Sequence, residues 1–296
     1  MMKQILFTGC ATALITPFTQ EGVDEKALRT LVDYQIENGV SALIACGTTG
    51  EPSTMSDQEW ALTLRTVIEQ ARGRVPVIAG TGGNDTRRVI RCAEEARALG
   101  ADGQLCVTPY YNKTTQQGLI AHYTAIAEKS ALPVIIYNVP SRTGLSIRPE
   151  TLAALKAQPR IVAVKEATAD MVLAGEMMRL CGEELAFYSG SDEVTVPLMS
   201  LGGLGVISVL SNIAPRETVA MTKAMLEGDC KTAAQWQLRL LPLIRALFSE
   251  VNPIPVKAAL HAMGLCENRL RLPLIPLSDA NAQRLKDEMR KLGLIA

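Results

Sequence analysis

Lys165 closes an apolar run, Ile161-Val162-Ala163-Val164, and is followed by Glu166. An amine walled by apolar side chains loses hydration, which disfavours its charged form. A neutral amine attacks a ketone or aldehyde and forms a Schiff base. The position suits a structural ion pair with Glu166 equally well, and the run alone does not separate the two. Tyr137 lies near the end of a second run, Val134–Asn138. Its phenol can donate and accept the protons that carbinolamine and imine steps require, or it can simply fill apolar space. Thr48 and Thr49 stand between Gly47 and Gly50. Backbone N–H groups and hydroxyls in such a turn can hold a small carboxylate, and a hydroxyl-rich turn with no ligand reads the same way. Arg142, in Pro140-Ser141-Arg142-Thr143-Gly144, offers a fork that matches a carboxylate. A solvated surface arginine is the alternative.

Metal chemistry has little to work with. His122 and His261 both fall on helical patterns and lack a ligand partner at metal spacing. The seven cysteines are scattered without a Cys-x-x-Cys pair, which excludes a zinc ribbon. Their odd number and the length of the chain argue against a disulfide framework. They read as mostly buried free thiols, and no metal is expected.

The elements that must position these residues alternate in type. Short apolar runs at 10–16, 42–46, 75–80, 103–107, 134–138, 161–165, 186–189 and 206–209 read as eight strands. They are rich in Val, Ile, Leu and Ala on both faces, as parallel strands covered on both sides are. Amphipathic stretches at 24–38, 57–71, 85–99, 115–130, 149–157, 170–181, 193–201 and 215–226 lie between and after them. Asp24, Ser56, Asp85 and Thr115 stand where helix caps belong, and Gly39 and Gly100 where helices stop. Eight βα units without a dinucleotide fingerprint predict a closed (β/α)8 TIM barrel rather than an open doubly wound sheet. The barrel is expected over 1–228 and a small C-terminal helical extension over 229–296, with helices at 230–250, 254–263 and 279–292. In a barrel of this kind the chemistry sits at the C-terminal ends of the strands. Lys165, Tyr137, the threonine turn and Arg142 all fall at such ends.

Composition sets outer bounds. Thirty Lys plus Arg balance thirty Asp plus Glu, and no basic block stands out, so nucleic acid is not an expected partner. Near-zero net charge leaves self-association as one route to solubility. The least polar stretch, 196–210, is broken by Ser200, Gly202, Gly203, Gly205 and Ser208 and falls short of the ~18 apolar residues of a membrane span. The apolar run at the N-terminus is too short for a signal peptide. A cytoplasmic protein is expected.

Taken together, Gly47-Thr48-Thr49-Gly50-Glu51, Thr108-Pro109-Tyr110-Tyr111-Asn112, Tyr137 to Gly144, Val164-Lys165-Glu166, Ser189-Gly190-Ser191-Asp192 and Asn252 to Lys257 resemble the dihydrodipicolinate synthase (4-hydroxy-tetrahydrodipicolinate synthase) family, in order and over essentially the whole chain. The wider superfamily includes N-acetylneuraminate lyase and other 2-keto-acid aldolases. The resemblance implies that Lys165 forms a Schiff base with pyruvate. Thr48, Tyr137 and Tyr111 would relay protons, with Tyr111 given across a subunit interface. Thr49 would hold the pyruvate carboxylate, Gly190 and Ile207 would line the site, and Arg142 would bind the carboxylate of L-aspartate 4-semialdehyde. The product would be 4-hydroxy-tetrahydrodipicolinate, on the route to lysine and diaminopimelate. No cofactor is implied, and a homotetramer built from two tight dimers is.

Feedback-regulated members bind lysine at the dimer interface. Of the residues used there, Asn84 and Tyr110 are retained, Asp57 and Trp60 occupy the histidine positions, and Arg88 occupies the glutamate position. A cation in place of a carboxylate repels the lysine α-amine, so weak or absent inhibition is expected. Two alternatives stay open. An N-acetylneuraminate or 2-keto-3-deoxy-sugar-acid lyase would share Lys165, Tyr137 and the threonine turn, but Arg142 suits a carboxylate-bearing acceptor better than a sugar. A non-catalytic regulatory barrel would be free to lose the lysine, tyrosines and threonine that are all present.

Overall fold

The computed structural model describes residues 2–296. Eight parallel strands close into a barrel in chain order: β1 (Gly9–Ala13), β2 (Ala42–Ala45), β3 (Val77–Gly80), β4 (Gly103–Val107), β5 (Val134–Asn138), β6 (Ile161–Glu166), β7 (Ala186–Ser189) and β8 (Gly205–Ser208), which returns to β1. Around them run α1 (Glu25–Glu37), α2 (Asp57–Ala71), α3 (Thr86–Leu99), α4 (Gln116–Lys129), α5 (Pro140–Thr143), α6 (Pro149–Leu155), α7 (Met171–Cys181), α8 (Thr195–Ser200) and α9 (Pro215–Leu226). Three more follow: α10 (Cys230–Leu247), α11 (Ile254–Ala262) and α12 (Asp279–Lys291). The expected (β/α)8 barrel with C-terminal helices is therefore the fold.

Local chemistry explains the element ends. Asp24, Asp85 and Thr115 each accept a backbone N–H of the helix they precede, and Ser56 forms a reciprocal capping box with Glu59. Gly100 ends α3 in the left-handed region at φ +98°. Two expectations shift, and one helix is additional. The strand read from 75 begins at Val77, because Pro76 has no N–H for the ladder. The helix read over 193–201 is a 3-10 turn, Asp192–Val194, followed by α8, which places Pro197 in the first turn, where its missing donor costs little. Helix α5 has four residues, too few to show a periodicity; it starts on Pro140 and stops at Gly144 at φ +66°.

The barrel interior is filled from below. Phe7 stacks on Tyr188 at 4.1 Å between ring centroids, and the Tyr188 hydroxyl donates to the Phe7 carbonyl at 2.7 Å. Ala11, Ala42, Ile44, Ile78, Leu105, Ile135 and Ala163 form the layers above. Outside, Val134, Ile136 and Val164 pack against Tyr123, Ile126, Leu152 and Met177 of the surrounding helices. The C-terminal helices share one core with the barrel: Leu240, Leu243, Val256, Leu260 and Met289 bury against Ile15, Leu31, Leu210 and Ile213. No described helix is long and apolar enough to cross a membrane.

Candidate active site

Alternation along β5 and β6 decides which side chains face the barrel mouth. Ile135, Tyr137 and Val139 belong to the interior set, with Ala163 of β6, while Val134, Ile136 and Val164 point outward. Lys165 therefore points inward and Glu166 outward. The β5–β6 register shifts once: Val134 pairs with Ile161 but Ile135 pairs with Ala163. That shift sets Tyr137 directly opposite Lys165. Without it Tyr137 would face Val164, an outward residue.

Lys165 is 5% exposed, and its Nζ lies 4.3 Å from the centroid of the Tyr137 ring. Burial lowers its pKa to about 7; the Asp192 carboxylate opposes that shift and the Arg142 guanidinium adds to it. The ion pair with Glu166 does not form. Glu166 instead accepts from Asn138 Nδ2 at 2.8 Å and from the Thr168 N–H at 2.7 Å. Burial raises the Tyr137 pKa, and the neighbouring Arg142 charge and Thr48 hydroxyl pull it back down. Gly190 leaves room for the lysine: a Cβ there would stand 2.5 Å from the Ala167 Cβ and 3.0 Å from Lys165 Cγ and Cε. Ile207 is buried in the interior set beside them.

Thr48 begins a single 3-10 turn, Thr48–Gly50, directly after β2. Thr49 is buried, and its hydroxyl accepts from Asn252 Nδ2 at 3.0 Å. Arg142 donates to the Asn252 carbonyl at 3.1 Å. A cleft of about 560 Å³ runs past Thr48, Tyr137, Arg142 and Thr143 and continues to Tyr110, Asn84, Arg88, Asp57 and Trp60. Tyr111 is 92% exposed, at φ +66°, and is not among the residues that line this cleft. Arg88 pairs with Asp57 at 3.1 Å on the surface, so the cation at this position carries its own counter-charge. The Trp60 indole is committed to the Gly80 carbonyl at 3.1 Å. Among the described residues no three or more His, Cys, Asp or Glu side chains cluster as metal ligands.

Two residues close to Lys165 and Thr49 escape a reading by single motifs. Asp192 is buried, accepts from Ser208 Oγ at 2.6 Å and from the Val209 and Leu210 N–H groups at 3.0 and 3.1 Å, and ties the β7 and β8 ends together. Its carboxylate is the field that acts on Lys165. Asn252 lies 203 residues beyond its partner Thr49, and no local signal marks that contact.

A buried lysine opposed by a tyrosine at the mouth of a barrel is the layout of a Schiff-base aldolase. The profile of the dihydrodipicolinate synthetase family matches residues 6–292. The chain belongs to this family. It is 49% identical over 290 residues to the 4-hydroxy-tetrahydrodipicolinate synthase of Geotalea uraniireducens, covering 98% of this chain and all of that one. It is 52% identical over 292 residues to that of Lachnoclostridium phytofermentans, covering 98% and 99%. The crystal structure of a chloride-inhibited dihydrodipicolinate synthase from Acinetobacter baumannii, complexed with pyruvate, superposes with a TM-score of 0.96 at 43% identity, covering 97% and 99%.

Proposed function

We propose that the protein condenses pyruvate with L-aspartate 4-semialdehyde to give 4-hydroxy-tetrahydrodipicolinate. The observation that carries this reading is Lys165, buried without a carboxylate partner and opposed by Tyr137. Its neutral amine attacks the ketone of pyruvate, and loss of water gives the imine. Loss of a methyl proton gives the enamine, whose carbon attacks the aldehyde. The amine nitrogen of the bound product then closes onto the imine carbon and releases Lys165. Tyr137 and Thr48 move the protons, with Tyr111 of the partner subunit completing the relay; the outward side chain of this chain's own Tyr111 fits such an exchange. Thr49 keeps its hydroxyl proton free for the pyruvate carboxylate because it accepts, rather than donates, towards Asn252. Gly190 and Ile207 wall the imine, and Arg142 receives the carboxylate of the semialdehyde.

The reading extends to a homotetramer in the cytoplasm, with residues 1–228 as the catalytic barrel and 229–296 as its support. It includes weak or absent inhibition by lysine. Arg88 and Asp57 together bring no net negative charge to Asn84, Tyr110 and Trp60, where an ammonium would need one. Half-inhibition at submillimolar lysine would overturn that part. The central test supplies both substrates with excess reductase and NADPH and follows the cofactor absorbance. Turnover that needs both substrates and disappears in Lys165→Ala supports the condensation. Borohydride trapping of pyruvate on Lys165 without turnover would move the function to another acceptor aldehyde.

A further inference from the structure

The segment that follows the threonine turn is gripped from the far end of the chain. Glu51 sits at the corner between the 3-10 turns Thr48–Gly50 and Pro52–Thr54, in the left-handed region at φ 56° and ψ 42°. Only Gly, Asn and Asp adopt that conformation readily, so a glutamate there must be held by its surroundings. Its carboxylate is buried and meets Lys257 Nζ of α11 at 2.5 Å. The second oxygen accepts the Arg271 N–H at 3.2 Å. Lys257 is fully buried, donates to the Arg269 carbonyl at 2.9 Å and lies 4.2 Å from the Phe18 ring centroid. The Arg271 guanidinium lies 4.1 Å from the same centroid and also donates to the Thr54 carbonyl at 2.9 Å.

A buried ion pair is a weak source of stability, because desolvation of both charges offsets their attraction. It is strongly directional in another sense: a buried carboxylate has one place to go. Here that place fixes the residue two positions beyond Thr49. We infer that Glu51 and Lys257 form a positioning pair, by which the C-terminal helices set the Thr48–Thr49 turn for pyruvate. The pair touches no reacting atom. It acts through the backbone corner at Glu51, in parallel with the Asn252 contact on Thr49. This rests on the proposed pyruvate chemistry at Lys165; the pair makes no direct contact with Arg142, on the acceptor side, which is tied instead to the Asn252 carbonyl.

The test measures borohydride trapping of pyruvate on Lys165 against pyruvate concentration, and separately KM for the semialdehyde at saturating pyruvate. Lys257→Met alone strands the buried carboxylate and is expected to fold poorly. The double variant Glu51→Gln, Lys257→Met removes both charges and is expected to melt cooperatively near the wild type. Its half-saturation for pyruvate should rise at least tenfold, while KM for the semialdehyde changes less than twofold. Phe18→Leu retains both charges and is expected to give a smaller rise, about threefold, for pyruvate alone. Wild-type half-saturation for pyruvate in a folded double variant overturns the inference. If the double variant does not fold, an unchanged half-saturation in Phe18→Leu overturns it. Equal weakening towards both substrates does so too, because general loosening would then explain the loss. Absence of trapping in the wild type would instead remove the Schiff-base reading itself.

Discussion

Lys165 and Lys257 are two lysines in nearly the same predicament. Both are buried, both have their ammonium disfavoured mainly by loss of hydration, and each lies just over 4 Å from the centroid of an aromatic ring. The difference lies in the carboxylate. Lys257 has Glu51 at 2.5 Å and a backbone carbonyl, which keep the charge in place. Lys165 has only the more distant field of Asp192, whose oxygens are already occupied by Ser208 and two backbone N–H groups. Glu51 thus favours the ammonium of Lys257, whereas Lys165 has no carboxylate in contact to do the same, as its proposed role as nucleophile requires. Burial alone does not make a reactive lysine; burial without a partner does.

Removing each amine should separate the two most sharply. Lys165→Met should lower turnover at least about 1,000-fold and abolish borohydride trapping, as loss of a nucleophile does. Tyr137→Phe keeps Lys165 buried but removes its proton relay, and the rate of imine formation should fall roughly 100-fold or more. Thermal melting gives the comparison a sign. Lys165 has a folded pKa of about 7, well below its unfolded value. Between those values the unfolded chain binds a proton that the folded one does not, so stability rises with pH across that window. At or below pH 7 the folded protein carries the desolvation cost, and Lys165→Met should raise the melting temperature, by about 2–4 °C for each kcal/mol relieved. Lys257→Met should lower it, since an orphaned buried carboxylate costs about 3–5 kcal/mol. A drop at both positions would break the comparison.

A smaller effect sharpens it. Imine formation should rise with pH through about 7 as Lys165 loses its proton. Asp192 favours the ammonium, so Asp192→Asn should move that rise to lower pH, by roughly half to one unit. Arg142 disfavours the ammonium, so Arg142→Ala should move it the opposite way. Rates of borohydride trapping across pH check both directions.

What the chain determines locally was legible in it. The eight strand runs, the caps at Asp24, Ser56, Asp85 and Thr115, and the closed barrel follow from patterning over a few residues at a time. So does the placement of Lys165, Tyr137 and the threonine turn at strand ends, because period-2 alternation and the βα repeat act locally. Local pattern left Lys165 undecided between a nucleophile and a partner of Glu166, although the same alternation puts the two on opposite faces. It was silent on the register shift between β5 and β6 that brings Tyr137 opposite Lys165, since either register satisfies the apolar pattern of a strand covered on both sides. The exposure of Tyr111, the Arg88–Asp57 pair, the reach of Asn252 to Thr49 and the clamp of Lys257 on Glu51 were equally beyond it. The two clamp contacts join residues some two hundred positions apart. Only closure of the barrel and docking of the C-terminal helices bring such groups within hydrogen-bonding distance, and only there does the loss of water decide which lysine keeps its charge.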